Sequence, residues 1–595
     1  MSSSTGVRLF RGIFSFAKVS SRIPRCRSLH VHRCCMATFA GAGPGGLAMS
    51  LWNRHRSQAM EALYHPFVVN IAAGVLNTES FRNYIAQDTF FLQAFSTAYT
   101  QVQENIDDYA SKLVVDHLLQ AVMDELKVHN SYAKAWEGDL SSTIEPNKST
   151  SKYIEFLLAA ARGKESTMGD ATLDRQSIAA LTVGAMTPCM RLYAFLGEEI
   201  VKHLDEDYTK STYHEWIKKY SSKDFQSATL QVEHLLDTLA ENLAEDDVSK
   251  LGRLYSQAMT LELEFFSAQP KCQCALLPFV RRQVDGIDAS YLLIMDFDFT
   301  CSVMDSCSPL ANASIQAAMQ RVESDSARCH QISGLELRKR WESLEKSYGE
   351  NYSKLIDVIE HQEHNVTHFD ADGLHSFLER LSEFEVQANS AVIEQEVFDG
   401  LKLEDAQEEG HNVVFQEGCP NFLRQISLHN NVTAHVISVC WSKSYIEGAL
   451  SEEGLDFIEV HSNEFITNGS STLGGIKRLV ETPFDKERVM KELIRNADGL
   501  LGPIRSIFIG DSVSDILCLL EADLGIVIGS NPRLQRVTEA FGVTLLPLYK
   551  GVVSQVQLGN LEFTKNAGIL YTVRDWHEIQ AFMISNLGYS AKTPP

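Results

Sequence analysis

Two patterns of apolar and polar positions divide the chain. From about residue 50 to 268, apolar side chains recur at helical spacing almost without a break. In "FRNYIAQDTFFLQAF", Phe81, Tyr84, Ile85, Phe91, Leu92 and Phe95 form one helical stripe, and Asp88 falls on it too. "LYSQAMTLELEFF" repeats the anomaly, with Glu262 continuing the stripe of Tyr255, Ala258, Met259, Phe265 and Phe266. A carboxylate among apolar side chains is costly unless it is hydrogen-bonded or opens into a pocket. Singly, each acid reads as a satisfied buried carboxylate. Together they predict a polar cavity at the centre of an all-helical domain.

Helical periodicity stops between about 269 and 289, where Pro270 and Pro278 mark a connection. Beyond it, short apolar runs predict strands at 291–295, 432–438, 456–460, 504–510 and 523–529, with helical segments between most of them. The span from about 305 to 410 is polar and helix-prone, which suggests a helical cap inserted after the first strand. The expected fold class is multidomain: a leader over 1–49, an all-α domain over 50–268, a connection over 269–289, and a capped α/β domain over 290–595.

Composition narrows the function classes. A chain of 595 residues exceeds one hydrophobic core, and 44% hydrophobic content is ordinary for folded protein. A net charge of -24 argues against a general binder of nucleic acid or anionic membrane. No uninterrupted apolar run reaches the roughly 18 residues of a membrane span. The cysteine pairs in "RCC" (33–35) and "KCQC" (271–274) lack the partner pairs of a structural zinc site.

The first carboxylate is Glu61, while Arg8, Arg11, Lys18, Arg22, Arg25, Arg27 and Arg33 precede it. This Ser- and Arg-rich, acid-free stretch resembles a mitochondrial transit peptide, against the plainer reading of a basic tail. Initiation at Met36 or Met49 would leave a cytosolic form.

Four separated elements then combine. "DFDFT" follows the first strand, Ser438 ends the second, "ETPFDK" offers Lys486, and "GDSVSD" places Asp511 and Asp515 after the 504–510 strand. Phosphoryl transfer needs this mixture, because an anionic nucleophile must meet an anionic phosphate among concentrated positive charge and hydrogen-bond donors. A lone D-x-D is weak, but the ordered set is specific. It resembles the haloacid dehalogenase superfamily of phosphatases over roughly 290–550.

That resemblance implies Asp296 as nucleophile, Asp298 as acid and base, Thr300 positioning the loop, and Ser438 contacting phosphate. It implies Lys486 neutralising phosphate and nucleophile, and Mg2+ held by Asp296, the main-chain carbonyl of Asp298 and Asp511. Asp515 would be a ligand or a support. Lys477 in "GGIKRL" competes for the lysine role, its plainer reading being a surface helix residue.

The helical half carries "TPCMRLY", with Cys189 and Tyr193 on one face, and "YHEWIKKY", ending in Tyr220. With "FRNYIAQD" and "ELEFF" these segments resemble the TenA family of thiamin-salvage proteins, helical bundles that are commonly homo-oligomers. The resemblance implies Cys189 as nucleophile, Asp88 on the aminopyrimidine edge, Glu262 as acid/base, and Tyr193 and Tyr220 orienting cysteine or substrate. A thiolate can add to an electron-poor pyrimidine carbon, and a carboxylate can pair with ring and amino nitrogens. Phe91 and Phe266 stand where many relatives of that family have Tyr and Trp, and Met190 and Arg191 where an aromatic pair is common.

The fusion resembles the plant bifunctional thiamin proteins. It implies small-molecule substrates: thiamin monophosphate for the phosphatase and an aminopyrimidine for the helical half. The alternative is a phosphatase for a nucleotide or pyridoxal phosphate, joined to a catalytically silent binding or oligomerisation module.

Overall fold

The computed structural model describes residues 45–135, 145–163, 174–204, 212–270, 274–281, 283–284, 287–324, 332–360, 368–501 and 504–584. The basic leader and its Met36 lie outside them. Ten helices between Gly46 and Ser267 build the first half among the described residues. Polar side chains start several of them: Asn77, Asn147, Asp174 and Ser222 each accept a backbone N–H of the first turn. The helix Arg175–His203 runs through the middle, against Thr78–Asn105, Lys148–Ala161, Lys223–Ala240 and Glu245–Ser267. By length and composition this helix could cross a membrane, but 78% of its most apolar stretch is buried within the protein.

The second half is built on a seven-stranded parallel sheet. From edge to edge the strands are Thr544–Pro547, Ile569–Val573, Leu524–Ile528, Ile504–Gly510, Ser290–Met295, Val432–Ile437 and Glu459–His461. Its central strands are buried along their whole length, as near-continuous apolar runs require. Ser290–Met295 is flanked by the later strand Ile504–Gly510 on one side and by Val432–Ile437 on the other. Strand order therefore reverses there, at the switch point where α/β sheets place their crevices.

Helices Cys307–Ser324, Gly334–Glu360 and Ala371–Glu394 occupy the expected cap region. Several elements differ from the sequence-based expectation. Strands Thr544–Pro547 and Ile569–Val573 extend the sheet, and the run at 456–460 yields only Glu459–His461. An antiparallel sheet of Asp399–Lys402, Ser471–Lys477 and Glu464–Asn468 joins the cap. Lys477 thus ends a strand instead of lying on a helix.

The two halves share a buried face. In the last described helix, Trp576–Ile584, Glu578 accepts the Tyr64 hydroxyl at 2.8 Å, while Tyr64 sits edge-on to Tyr549 and Phe582. Arg56 pairs with Asp575 at 2.9 Å, and Arg574 pairs with Glu199. The connection packs here too: Phe279 and Val280 donate to the carbonyls of Phe582 and Met583.

Candidate active sites

The first cluster forms where three helices face one another. Asp88 points inward from Thr78–Asn105, Glu262 from Glu245–Ser267, and Cys189 follows Pro188 inside Arg175–His203. Gly184, one turn earlier, permits close approach: a Cβ there would lie 2.7 Å from Leu251 Cγ. The helices bearing Cys189 and Glu262 consequently meet tightly. The thiol is hydrogen-bonded to Glu262, and Tyr153 donates to the same carboxyl at 2.7 Å. Burial raises Glu262 to about 7, against the hydrogen bonds from Tyr153 and Cys189. Burial also pushes the Cys189 thiol well up, reinforced by the charges of Glu262 and Asp88. The sulfur is therefore protonated at rest.

Around Asp88 lies a charged group that the sequence pattern did not single out. His129 Nε2 is 3.7 Å from Asp88 and 3.8 Å from Glu125, while Lys219 pairs with Glu125. Burial and the repulsion of Glu125 raise Asp88, and Lys219 opposes them. Burial lowers His129 to about 4, leaving it neutral at physiological pH. Glu125 and His129 stand four apart on Tyr109–Ala135, the only sequence signal that could have joined them.

Tyr220 donates to Glu125 at 3.3 Å, so its hydroxyl serves this carboxylate group. Tyr193 accepts from Tyr84 at 3.2 Å, and Tyr84 accepts from Trp216. Phe91 packs 4.5 Å from the Tyr153 ring and Phe266 5.8 Å from the Tyr193 ring, so both remain aromatic walls. Arg191 points elsewhere, 4.9 Å over Trp52 and 3.4 Å from Glu233.

The second cluster stands at the carboxyl end of the parallel sheet. Met295 is in register with Ile509 and Val436, so the residues that follow these strands emerge at one end. Asp296 donates its N–H to Ile509 O at 2.9 Å, which fixes it beside the neighbouring strand. Lys486, fully buried on the helix Pro483–Leu501, lies 2.8 Å from Asp296 Oδ1 and 2.8 Å from Asp515 Oδ1. Toward Asp515 the lysine donates a hydrogen bond; toward Asp296 the contact is an ion pair only, and Oδ1 has no aligned donor.

Asp515 Oδ2 accepts the N–H groups of Asp511 and Ser512 and the Ser512 hydroxyl. Gly510 makes room for it, since a Cβ there would sit 2.6 Å from Asp515 Cγ. Asp511 receives Thr300 Oγ1 at 3.3 Å and Asn531 Nδ2 at 3.5 Å. Asp298 is held differently: Ser306 donates to Oδ2 at 2.7 Å, while the buried Oδ1 has no partner. Burial raises Asp298 to about 6, against the Ser306 hydrogen bonds.

One network therefore gathers Asp296, Lys486, Asp511, Asp515 and Thr300. Ser438 is fully buried at the same end of the sheet, its hydroxyl accepting Cys440 N–H at 3.1 Å. Lys477 stays outside, exposed and paired with Glu464 at 3.3 Å. Ser306, Asn531 and Trp576, which donates to Thr300 O at 2.9 Å, carried no motif signal.

The donor set fits a divalent cation. Oxygens of Asp296, Asp511 and Asp515 lie within 4.8 Å of one another, all buried, with Lys486 alone as their close cationic partner among the described residues. A hard cation with oxygen ligands would offset the excess negative charge.

Comparison with known proteins agrees with the two-part architecture. Residues 52–271 match the TENA/THI-4/PQQC family. The "Aminopyrimidine aminohydrolase" of Halalkalibacterium halodurans is 26% identical over 222 residues, spanning 37% of this chain and 93% of that protein. The solved phospho-aspartyl intermediate analogue of phosphoserine phosphatase is 15% identical, covering 50% of this chain and 100% of the other, at a TM-score of 0.29 too low to carry weight. The "Bifunctional TH2 protein, mitochondrial" of Arabidopsis thaliana is 39% identical over 549 residues, which are 90% of this chain and 88% of that protein. The chain, a helical TenA-type domain followed by a parallel-sheet α/β domain, belongs to the bifunctional TH2 protein family.

Proposed function

We propose that this protein is a two-site hydrolase of thiamin metabolism. Its α/β domain hydrolyses thiamin monophosphate, and its helical domain hydrolyses the amino group of an aminopyrimidine released from degraded thiamin. The observation that carries the phosphatase reading is Asp296, held against Lys486 beside Asp511 at the sheet's carboxyl end, with Asp298 two residues on and one oxygen unpaired.

In the first step the Asp296 carboxylate attacks phosphorus, and the bond to the alcohol oxygen breaks as Asp298 donates a proton to it. Asp298, now ionised, then takes a proton from the water that attacks the aspartyl-phosphate, releasing phosphate and restoring Asp296. Lys486 keeps its charge throughout, because Asp296 and Asp515 outweigh the effect of its burial. Magnesium, held by Asp296 and Asp511 with Asp515 as ligand or support, would neutralise phosphate charge when bound.

In the helical site, ionised Glu262 takes the Cys189 proton as sulfur adds to the pyrimidine carbon, then returns it to the departing amine. Asp88 pairs with ring and amino nitrogens. Water then displaces sulfur and leaves a hydroxypyrimidine.

Asp296→Asn tests the phosphatase reading, since an amide is neither nucleophile nor anionic ligand. Phosphate release from thiamin monophosphate is expected to vanish with the melting temperature kept, and turnover near that of the unaltered protein would overturn the assignment. EDTA is expected to act likewise, with magnesium restoring activity.

The basic leader supports mitochondrial delivery of the full chain. A cytosolic form would begin at Met36, because Met49 lies inside the helix Gly46–Arg54, whose Ala48 N–H is held by Asp237 at 2.8 Å. Fluorescent fusions beginning at Met1 and at Met36 are expected to reach mitochondria and cytosol, respectively. Identical distributions would refute the leader's role.

A further inference from the structure

The cavity above Asp296 and Asp298 has a volume of about 600 Å³ and extends into the cap. Its lining is unusual for a site that receives an anion. Seven carboxylates face it against a single arginine, and four of the seven lie outside the Asp296, Asp298 and Asp511 group. The arginine, Arg533, is drawn over the Tyr352 ring at 4.6 Å, so the cap aromatics already hold one cation.

Two cap helices and one loop shape the far end. Trp341 and Tyr348 stand seven apart, two turns along one face of Gly334–Glu360, while Glu385 and Asn389 stand one turn apart on Ala371–Glu394. Trp441 meets Trp341 at 90°, centroids 6.1 Å apart, and its indole N–H donates to Asn389 at 2.9 Å. These perpendicular rings are two walls of a box. Tyr348 forms a third, its hydroxyl donating to Glu385 Oε1 at 2.9 Å and its ring 5.1 Å from Phe384.

We infer that Trp341, Trp441, Tyr348 and Glu385 form the leaving-group subsite, and that it selects phosphomonoesters whose alcohol part carries a fixed positive charge on a flat ring. The physical reason is division of charge. At the sheet end, Lys486 and a divalent cation balance phosphate. At the cap end Arg478 takes Glu481 at 3.4 Å, but Glu345 and Glu385 face the cavity with no cationic partner among the described residues. A neutral or anionic leaving group would leave Glu385, which has only the Tyr348 hydroxyl as partner, without a counter-charge in a partly dry cavity, which is costly. A cationic ring stacks on the indoles and pairs with Glu385. This inference rests on the phosphatase reading and adds the side chains that set its specificity.

The test uses the full chain and compares specificity constants for thiamin monophosphate, whose thiazolium is cationic, with pyridoxal phosphate and phenyl phosphate, whose leaving groups lack that charge. The unaltered protein is expected to favour the cationic ester by at least about tenfold. Glu385→Gln is expected to reduce the cationic-to-neutral ratio about tenfold, mainly through KM, within the range expected of a desolvated cation contact. Trp341→Leu, which leaves every carboxylate in place, is expected to lower the same ratio independently. Equal losses on all three esters in both variants would overturn the subsite. So would an unaltered protein without charge preference, although its phosphatase activity would survive. Hydrolysis of none of the esters would instead refute the phosphatase reading beneath it.

Discussion

The candidate side chains differ in how visible they are along the sequence. Asp296 and Asp511 stand out in the sequence because each directly follows an apolar strand run, and the fold brings their carboxylates together. The choice between Lys486 and Lys477 is open in the sequence, and the fold separates them: Lys486 is buried against Asp296 and Asp515, whereas Lys477 is exposed and pairs with Glu464. Asp88 and Glu262 stood out as acids on apolar stripes, yet Tyr153, His129 and Lys219 carried no such mark, because aromatic and surface-type residues are unremarkable at helical spacing. The Cys189–Glu262 hydrogen bond yields a pH prediction. Burial holds Glu262 at about 7, so below that pH the carboxyl is increasingly protonated and unable to take the thiol proton. In the free enzyme, kcat/KM for aminopyrimidine hydrolysis is therefore expected to rise as pH rises through about 7. Glu262→Gln is expected to cost at least about 100-fold and to remove this limb. A rate independent of pH between 6 and 8 in the unaltered protein would rule out Glu262 as the base.

At the scale of elements, long periodic helices and fully buried strands were the readable parts. Ile504–Gly510 coincides with its apolar run because both sheet faces bury it. The hairpin Glu464–Asn468 and Ser471–Lys477 was missed because its alternating polar residues and paired glycines resemble a surface segment, and its partner Asp399–Lys402 is distant in sequence. Loop geometry also escaped the motif reading. Gly510 looks like a conventional small residue before an acid, but it is the space into which Asp515 folds to hold Lys486. Gly510→Ala is expected to displace Asp515 and lower phosphatase kcat at least about tenfold, while the helical site's rate stays within about twofold. Steady-state kinetics of this variant on both substrates provides the check; an unaffected phosphatase would mean that Asp515 is dispensable for orienting the lysine.

For the whole molecule, the sequence suggested two units joined by a proline-bearing connection, whereas the folded chain buries Tyr64, Tyr549 and Phe582 between them. Nothing local could announce this, because pairs such as Arg56 and Asp575 are joined only by the completed fold. The shared face also reaches chemistry: Trp576, on the helix that packs against the first half, holds the carbonyl of Thr300 in the Asp296 loop. Among the described residues no hydrogen bond or ion pair joins the Cys189 and Glu262 cluster to the Asp296 and Lys486 cluster, and groups without shared partners act nearly independently. The most direct measurement therefore assays the full chain, Asp296→Asn and Cys189→Ser for both phosphate release from thiamin monophosphate and ammonia release from an aminopyrimidine. The unaltered protein should perform both reactions, each variant should lose one and keep the other within about twofold, and all three should melt alike. Loss of both reactions in either variant with melting unchanged, or absence of either reaction from the unaltered chain, would contradict two independent hydrolytic sites.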